Sequence, residues 1–168
     1  QFFLSKIYYD DEYIPRDINK SIYYLSRLAK HNIFDAQLYL GLIYYAGKYI
    51  PIDINKSIYY LTISANQNNP HAQFYLGLIY CEGKYISRDI NKSIYYFTLS
   101  ANQNNLDAQF FLGMIYYNGK FISRDINKSI YYFKLSANQN GSNSQSYLGE
   151  IYYEGKYISR DINKAIYY

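Results

Sequence analysis

Apolar residues fall on two alternating helical stripes along this chain. Ala72, Leu76, Ile79, Tyr80 and Gly83 sit at i, i+4, i+7, i+8 and i+11, the spacing of one face of an α-helix. After a short polar loop, Ile90, Ile94, Phe97 and Ala101 sit at i, i+4, i+7 and i+11 and predict a second helix. The flanking residues punctuate this reading. Asn69 is placed to cap the first helix, with Pro70 at the tolerated first position. Gly83-Lys84 predicts its end, because glycine readily enters the left-handed conformation there. Asp89 is placed to cap the second helix, and Asn104 to terminate it. Pro15 and Pro51 stand two residues ahead of their Asp caps, outside the predicted helices.

The two-stripe unit recurs. Ile-Tyr-Tyr, or Ile-Tyr-Cys once, begins at Ile7, Ile43, Ile79, Ile115 and Ile151, and Asp-Ile-Asn-Lys at Asp17, Asp53, Asp89, Asp125 and Asp161, always 36 residues apart. Such a period signals a repeat array. Full copies span 35–70, 71–106 and 107–142, with a partial copy at each end, 1–34 and 143–168; no linker divides them. Gly41, Gly77, Gly113 and Gly149 recur inside the predicted first helices, although glycine there costs about 1 kcal/mol relative to alanine. Their recurrence predicts a close helix crossing. Ser57, Ser93, Ser129 and Ala165 keep the second helices small as well. Stacked antiparallel helix pairs, each covering its neighbour's apolar face, follow from this pattern.

Composition narrows the class. The 168 residues are 49% hydrophobic and 18% charged, enough apolar material for a core and too little charge for a disordered tail. No apolar run reaches the length of a membrane span, and no signal-peptide pattern opens the chain. The single Cys81 excludes an internal disulfide framework.

Residue by residue, the array resembles the Sel1-like repeats, relatives of the tetratricopeptide class. The carrying positions are Ala72, Leu76-Gly77, Tyr80, Gly83, Asp89, Lys92-Ser93, Tyr96-Phe97 and Ser100-Ala101. Departures are Tyr60, Tyr96 and Tyr132 where that family prefers Trp, Asn104 in place of a terminal Gly, and Asp11 where other copies have Gly47, Gly83, Gly119 and Gly155. Gly141-Ser142-Asn143-Ser144 replaces a stronger helix start, so the fourth junction is expected to be the loosest. The resemblance implies an all-α fold, a right-handed α–α superhelix, and a scaffold or adaptor that binds other proteins without enzyme activity or cofactor. Some members are rich in paired cysteines and linked to β-lactam binding; Cys81 has no partner for that role.

Copies compared with one another suggest where a partner binds. In the first helices, positions 38, 42, 45 and 46 and their equivalents drift, and their spacing places them on one face. That face carries Leu38, Leu42 and Tyr45, then Phe74, Leu78 and Cys81, then Phe110, Met114 and Tyr117; in the fourth copy it turns polar, with Ser146, Glu150 and Glu154. First helices line the concave side in solenoids of this class, so a groove for a peptide or helix is expected. The alternative is that Phe74, Leu78 and Phe110 pack against the adjacent copy.

Other signals weigh less. Lys48, Lys84, Arg88, Lys120, Arg124, Lys156 and Arg160, with Lys56, Lys92, Lys128 and Lys164, predict a basic edge interleaved with Tyr49, Tyr85, Phe121 and Tyr157. The net charge of +4 and the accompanying Asp residues make nucleic acid the lesser expectation. His31 and His71 stand alone, without the ligand spacing of a metal site. Asn-Lys-Ser at Asn19, Asn55, Asn91 and Asn127 is read as a structural repeat rather than a glycosylation signal. Apolar Phe2, Phe3, Tyr167 and Tyr168 at the boundaries suggest a fragment of a longer array that self-associates through uncapped ends. A cytoplasmic location is expected, or the endoplasmic reticulum lumen if the full chain carries a signal peptide. A regulatory arm of a larger signalling enzyme, such as a kinase, is the alternative function.

Overall fold

A computed structural model describes residues 17–168. Phe2, Phe3, Ile7, Asp11 and Pro15 lie outside the described residues, and so do the expectations attached to them. Within 17–168 the chain forms helices α1 (Ile18–Lys30), α2 (Phe34–Ala46), α3 (Ile54–Asn66), α4 (Pro70–Glu82), α5 (Ile90–Ala101), α6 (Leu106–Asn118), α7 (Ile126–Ala137), α8 (Ser142–Glu154) and α9 (Ile162–Tyr167). Even-numbered helices are the first helices of the copies and odd-numbered ones the second. Each packs on its chain neighbours, most extensively as the pairs α2–α3, α4–α5 and α6–α7. The result is an all-α solenoid of stacked helix pairs, with no strand among the described residues.

Local chemistry sets most of the boundaries. Asp17, Asp53, Asp89, Asp125 and Asp161 each accept the backbone N–H three residues on, at 3.0 to 3.1 Å, and so satisfy a donor the helix leaves unpaired. Asn69 and Asn105 do the same for Ala72 and Ala108. At the end of α4, Gly83 lies at φ 62 and donates to the Ile79 carbonyl; a Cβ there would come within 2.7 Å of Arg88. Second helices end on asparagine instead. Asn104 adopts φ 61 and donates to Ala101, while Asn105 donates to Ser100, the paired closure of a Schellman turn.

The first and second helices cross where the recurring glycines predict. A Cβ on Gly41 would lie 2.6 Å from Leu61, one on Gly77 2.5 Å from Phe97, and one on Gly113 2.5 Å from Phe133. Leu61, Phe97 and Phe133 are wholly buried in these notches. Gly149 differs, since its nearest neighbour in another element is the Ala165 carbonyl at 3.5 Å.

A feature that the apolar pattern did not reveal ties one pair to the next. Gln37, Gln73 and Gln109 are almost completely buried. Gln73 donates to the Ala65 carbonyl at the end of α3 (3.2 Å) and accepts from Gln103 beyond α5 (2.8 Å), bridging three helices. Gln37 and Gln109 repeat this with Ala29 and Gln67, and with Ala101 and Gln139. Ser64 and Ser100 add hydroxyl bonds to the carbonyls of Phe34 and Pro70, 2.8 and 2.7 Å away.

The fourth junction departs from the others. Helix α8 begins after Gly141 with no side-chain cap, as α2 does after Ile33, and Ser144 alone replaces the alanine held at the buried position by Ala36, Ala72 and Ala108. Its hydroxyl has no hydrogen-bond partner. Ser144→Ala removes that burial cost and adds helix propensity, so chemical denaturation should show a gain of about 1 kcal/mol. A loss of stability would mean that the hydroxyl is satisfied.

Candidate functional site

The drifting face is more deeply used in packing than its spacing implies. Leu38 is only 7% exposed and sits in the core with Leu61, Ala65, Ala72 and Leu76. It offers nothing to a partner, which corrects its placement on an accessible face. The reason is geometric. A first helix is wedged between its own second helix and the next copy, so it is apolar on more than one side and a single stripe does not exhaust its buried surface.

The remaining residues are half-buried. Leu42 and Tyr45 pack beside that same core, and Tyr45 meets the Tyr75 ring edge-on at 6.5 Å. Phe74 rests against Phe97 and Phe111, each with ring centroids 5.8 Å away. Phe110 repeats this against Phe133 and Tyr147, both at 5.9 Å. Leu78 and Cys81 border the cluster around Phe97 and Leu112, and Met114 and Tyr117 the one around Phe133 and Leu148. Packing against the adjacent copy, the alternative for Phe74, Leu78 and Phe110, therefore accounts for much of their surface.

One part of the face stays open. Between α4 and α6, Cys81, Phe110, Phe111, Met114 and Phe121 line a mostly apolar cavity of about 460 Å³ that opens to solvent, with Asn118 and Lys120 at its polar margin. Successive first helices touch one another directly, α4 with α6 and α6 with α8. Phe121 lies in the loop after α6 and is not part of the drifting stripe; its recurrence as Tyr49, Tyr85 and Tyr157 is the signal that could have found it.

Electrostatics grade along the same face. The Tyr45 hydroxyl donates to Glu82 of the next copy at 2.9 Å, and burial together with that carboxylate holds its proton well above the usual tyrosine range. Burial pushes the Cys81 thiol up, so it stays protonated and unreactive near neutral pH. Tyr117 is also shifted up, by burial and by Glu150 and Glu154.

The basic edge is engaged within the chain. Lys20, Lys56, Lys92, Lys128 and Lys164 each bridge the capping Asp of the same turn, at 2.9 to 3.6 Å. Lys56, Lys92, Lys128 and Lys164 also lie over Tyr44, Tyr80, Tyr116 and Tyr152. Those four rings stack nearly parallel on Tyr60, Tyr96, Tyr132 and Tyr168. Arg88 donates to the Cys81 and Glu82 carbonyls at the end of α4 and lies 4.3 Å over the Phe121 ring. Arg124 does likewise with Tyr117, Asn118 and Tyr157. These are helix-end and ring contacts, and they leave the edge with less free charge than its composition suggests.

Tyr59, Tyr95 and Tyr131 do not vary, yet each is more than half exposed on the second helices. No group of His, Cys, Asp and Glu able to hold a metal ion occurs among the described residues. No helix there is long and apolar enough to cross a membrane.

Uniform copies, glycine notches and nearest-neighbour stacking define a helical-repeat solenoid. The chain belongs to the Sel1 repeat family, whose model matches residues 1–33, 34–69, 70–105, 106–141 and 142–168. Each internal boundary falls one residue before those drawn from the sequence. Among solved structures, a Sel1 repeat protein from Oxalobacter formigenes is 28% identical, with a TM-score of 0.86 over 99% of this chain and 68% of that one. The c5321 protective antigen of uropathogenic Escherichia coli, which displays an SLR fold, superposes with a TM-score of 0.91 at 24% identity over 98% of this chain. This chain spans only 35% of the length of that antigen. Helicobacter pylori cysteine rich protein B gives a TM-score of 0.60 at 21% identity, over 79% of this chain and 95% of that one. Comparison with curated proteins gives no sequence match.

Proposed function

We infer that this array is a non-catalytic scaffold whose first-helix face receives a protein segment, with a large apolar side chain seated between α4 and α6. Sel1 repeats serve in general as protein-interaction scaffolds, and this chain is built of them throughout. The observation that carries the binding mode is the open cavity of about 460 Å³ lined by Cys81, Phe110, Met114 and Phe121. Its floor is set by packed helices and its rim is polar, the make-up of an anchor pocket. Leu42, Tyr45, Phe74, Leu78 and Tyr117 extend the face on either side and offer partly buried apolar contact.

The test uses peptides selected from a random display library on the 168-residue chain. Recovered sequences should share a large apolar residue. Met114→Glu combined with Phe121→Glu should weaken the best of them at least tenfold while the helical circular dichroism stays unchanged. Both substitutions alter cavity-lining residues that are not fully buried. Undiminished binding by the double variant would place the site elsewhere.

A further inference from the structure

The fourth junction carries a second opening, distinct from the groove and sharing only Phe110 with it. Leu106, Asp107, Phe110, Ser136, Gly141 and Ser144 are among the residues lining a cavity of about 160 Å³ at the start of α8. The same place is filled by an asparagine side chain ahead of α4 and α6, and by Ile33 ahead of α2. Asn69 accepts the Ala72 N–H through Oδ1 (3.0 Å) and offers its amide to Asp35 Oδ1 (3.5 Å). Asn105 accepts the Ala108 N–H in the same way, at 2.9 Å.

In the fourth copy that residue is Gly141, and α8 has no side-chain cap. The groups that surround Asn69 have counterparts here without the asparagine. Asp107 stands where Asp35 does. The Ser144 N–H stands where the Ala72 N–H does. Two hydroxyls lining the cavity, those of Ser136 and Ser144, are wholly buried and have no hydrogen-bond partner. Ser64 and Ser100, the counterparts of Ser136, both donate to a carbonyl. Buried hydroxyls are normally paired; Ser57, Ser93 and Ser129 are unpaired as well, but of the five only Ser136 and Ser144 line one of the cavities described. Two unpaired ones facing a single cavity, beside an uncapped helix start, mark a place built for a polar group from outside.

We propose that this cavity binds a primary carboxamide, its oxygen accepting from the Ser144 N–H and the serine hydroxyls and its NH₂ donating to Asp107. The Asp107 carboxylate on the rim selects against a free anion, which the helix start alone would attract. It favours a group that accepts on one side and donates on the other. An Asn or Gln side chain of a partner and a free small amide share this chemistry.

The experiment is an amide-resolved NMR titration of the 168-residue chain with acetamide. Acetamide should shift the Gly141 and Ser144 backbone signals saturably, with little change at the equivalent Asn69 and Ala72. Sodium acetate and N,N-dimethylacetamide should give shifts at least several-fold weaker, the first repelled by Asp107 and the second lacking donors. Asp107→Ala should weaken acetamide several-fold, and Gly141→Asn, which supplies the missing side chain from within, should abolish its effect. The Cβ of that variant would come within 2.5 Å of the Ser136 hydroxyl and 2.8 Å of its carbonyl oxygen, so the backbone must shift; the exposed Asp107→Ala decides the matter if Gly141→Asn fails to fold. Absence of any acetamide shift would mean that water alone fills the cavity, and would overturn the proposal. Acetate matching acetamide would make this an anion site and overturn it equally. A blocked Ala-Asn-Ala methylamide peptide identifies the source: binding tighter than acetamide supports a partner side chain, and acetamide binding without peptide binding supports a free amide.

Discussion

Gly77→Leu should destabilise the array by about 2 to 3 kcal/mol, the upper part of the range for overpacking a tight core. The Cβ alone would lie 2.5 Å from Phe97 Cδ1, and Phe97 is buried completely, its ring held between Phe74 and Phe111. Either the ring leaves its rotamer or α4 and α5 separate. Phe97→Ala, the reciprocal change, should cost about 3 to 5 kcal/mol through lost burial and the cavity left behind. Combining the two places a leucine where the ring was. The pair should then lose less than the sum of the single losses, by up to about 3 kcal/mol. Urea denaturation of the four proteins completes the cycle. Simple additivity would show that α4 and α5 do not meet at this point.

Gln73→Ala should cost about 2 kcal/mol, from two buried side-chain hydrogen bonds and a small void. Its effect on cooperativity is the more informative part. Gln73 joins α3, α4 and the end of α5, so its loss weakens the seam between copies rather than a helix pair. Nearest-neighbour stability then predicts a broadened or two-step unfolding curve. Gly77→Leu should lower the midpoint through one pair. A sharp single transition in Gln73→Ala, displaced by less than about 0.5 kcal/mol, would show that the amide ladder does not couple the copies.

Much of this architecture can be read from residue spacing because the copies repeat their punctuation. Asp89, Gly83, Asn104 and Asn69 each act through their own nearby backbone, so local sequence suffices to place the helices. Gly77 is legible for another reason: a residue unfavourable to helices that returns at a fixed interval needs a steric cause. What escaped has a different origin. Leu38 lies against the next copy, a second buried side that a single helical stripe does not encode. Gln73 recurs at 37, 73, 109 and 145 as faithfully as the glycines, but a polar side chain on a helix reads as solvent-facing until its partners 8 and 30 residues away are known. The basic edge was legible as composition and not as contact. Arg88 and Arg124 hold helix ends and rings, which only the folded loop brings within reach. Of the candidate site, the apolar character was visible and the opening was not, because Phe121 enters it from a loop.

The amide ladder and the notches tie each helix pair to its immediate neighbours. Tension applied to the two ends would therefore have no single yield point to overcome. The chain would pay out in instalments, each freeing one 36-residue copy and roughly 12 nm of slack, and the copies still stacked would keep their shape while the load passed along.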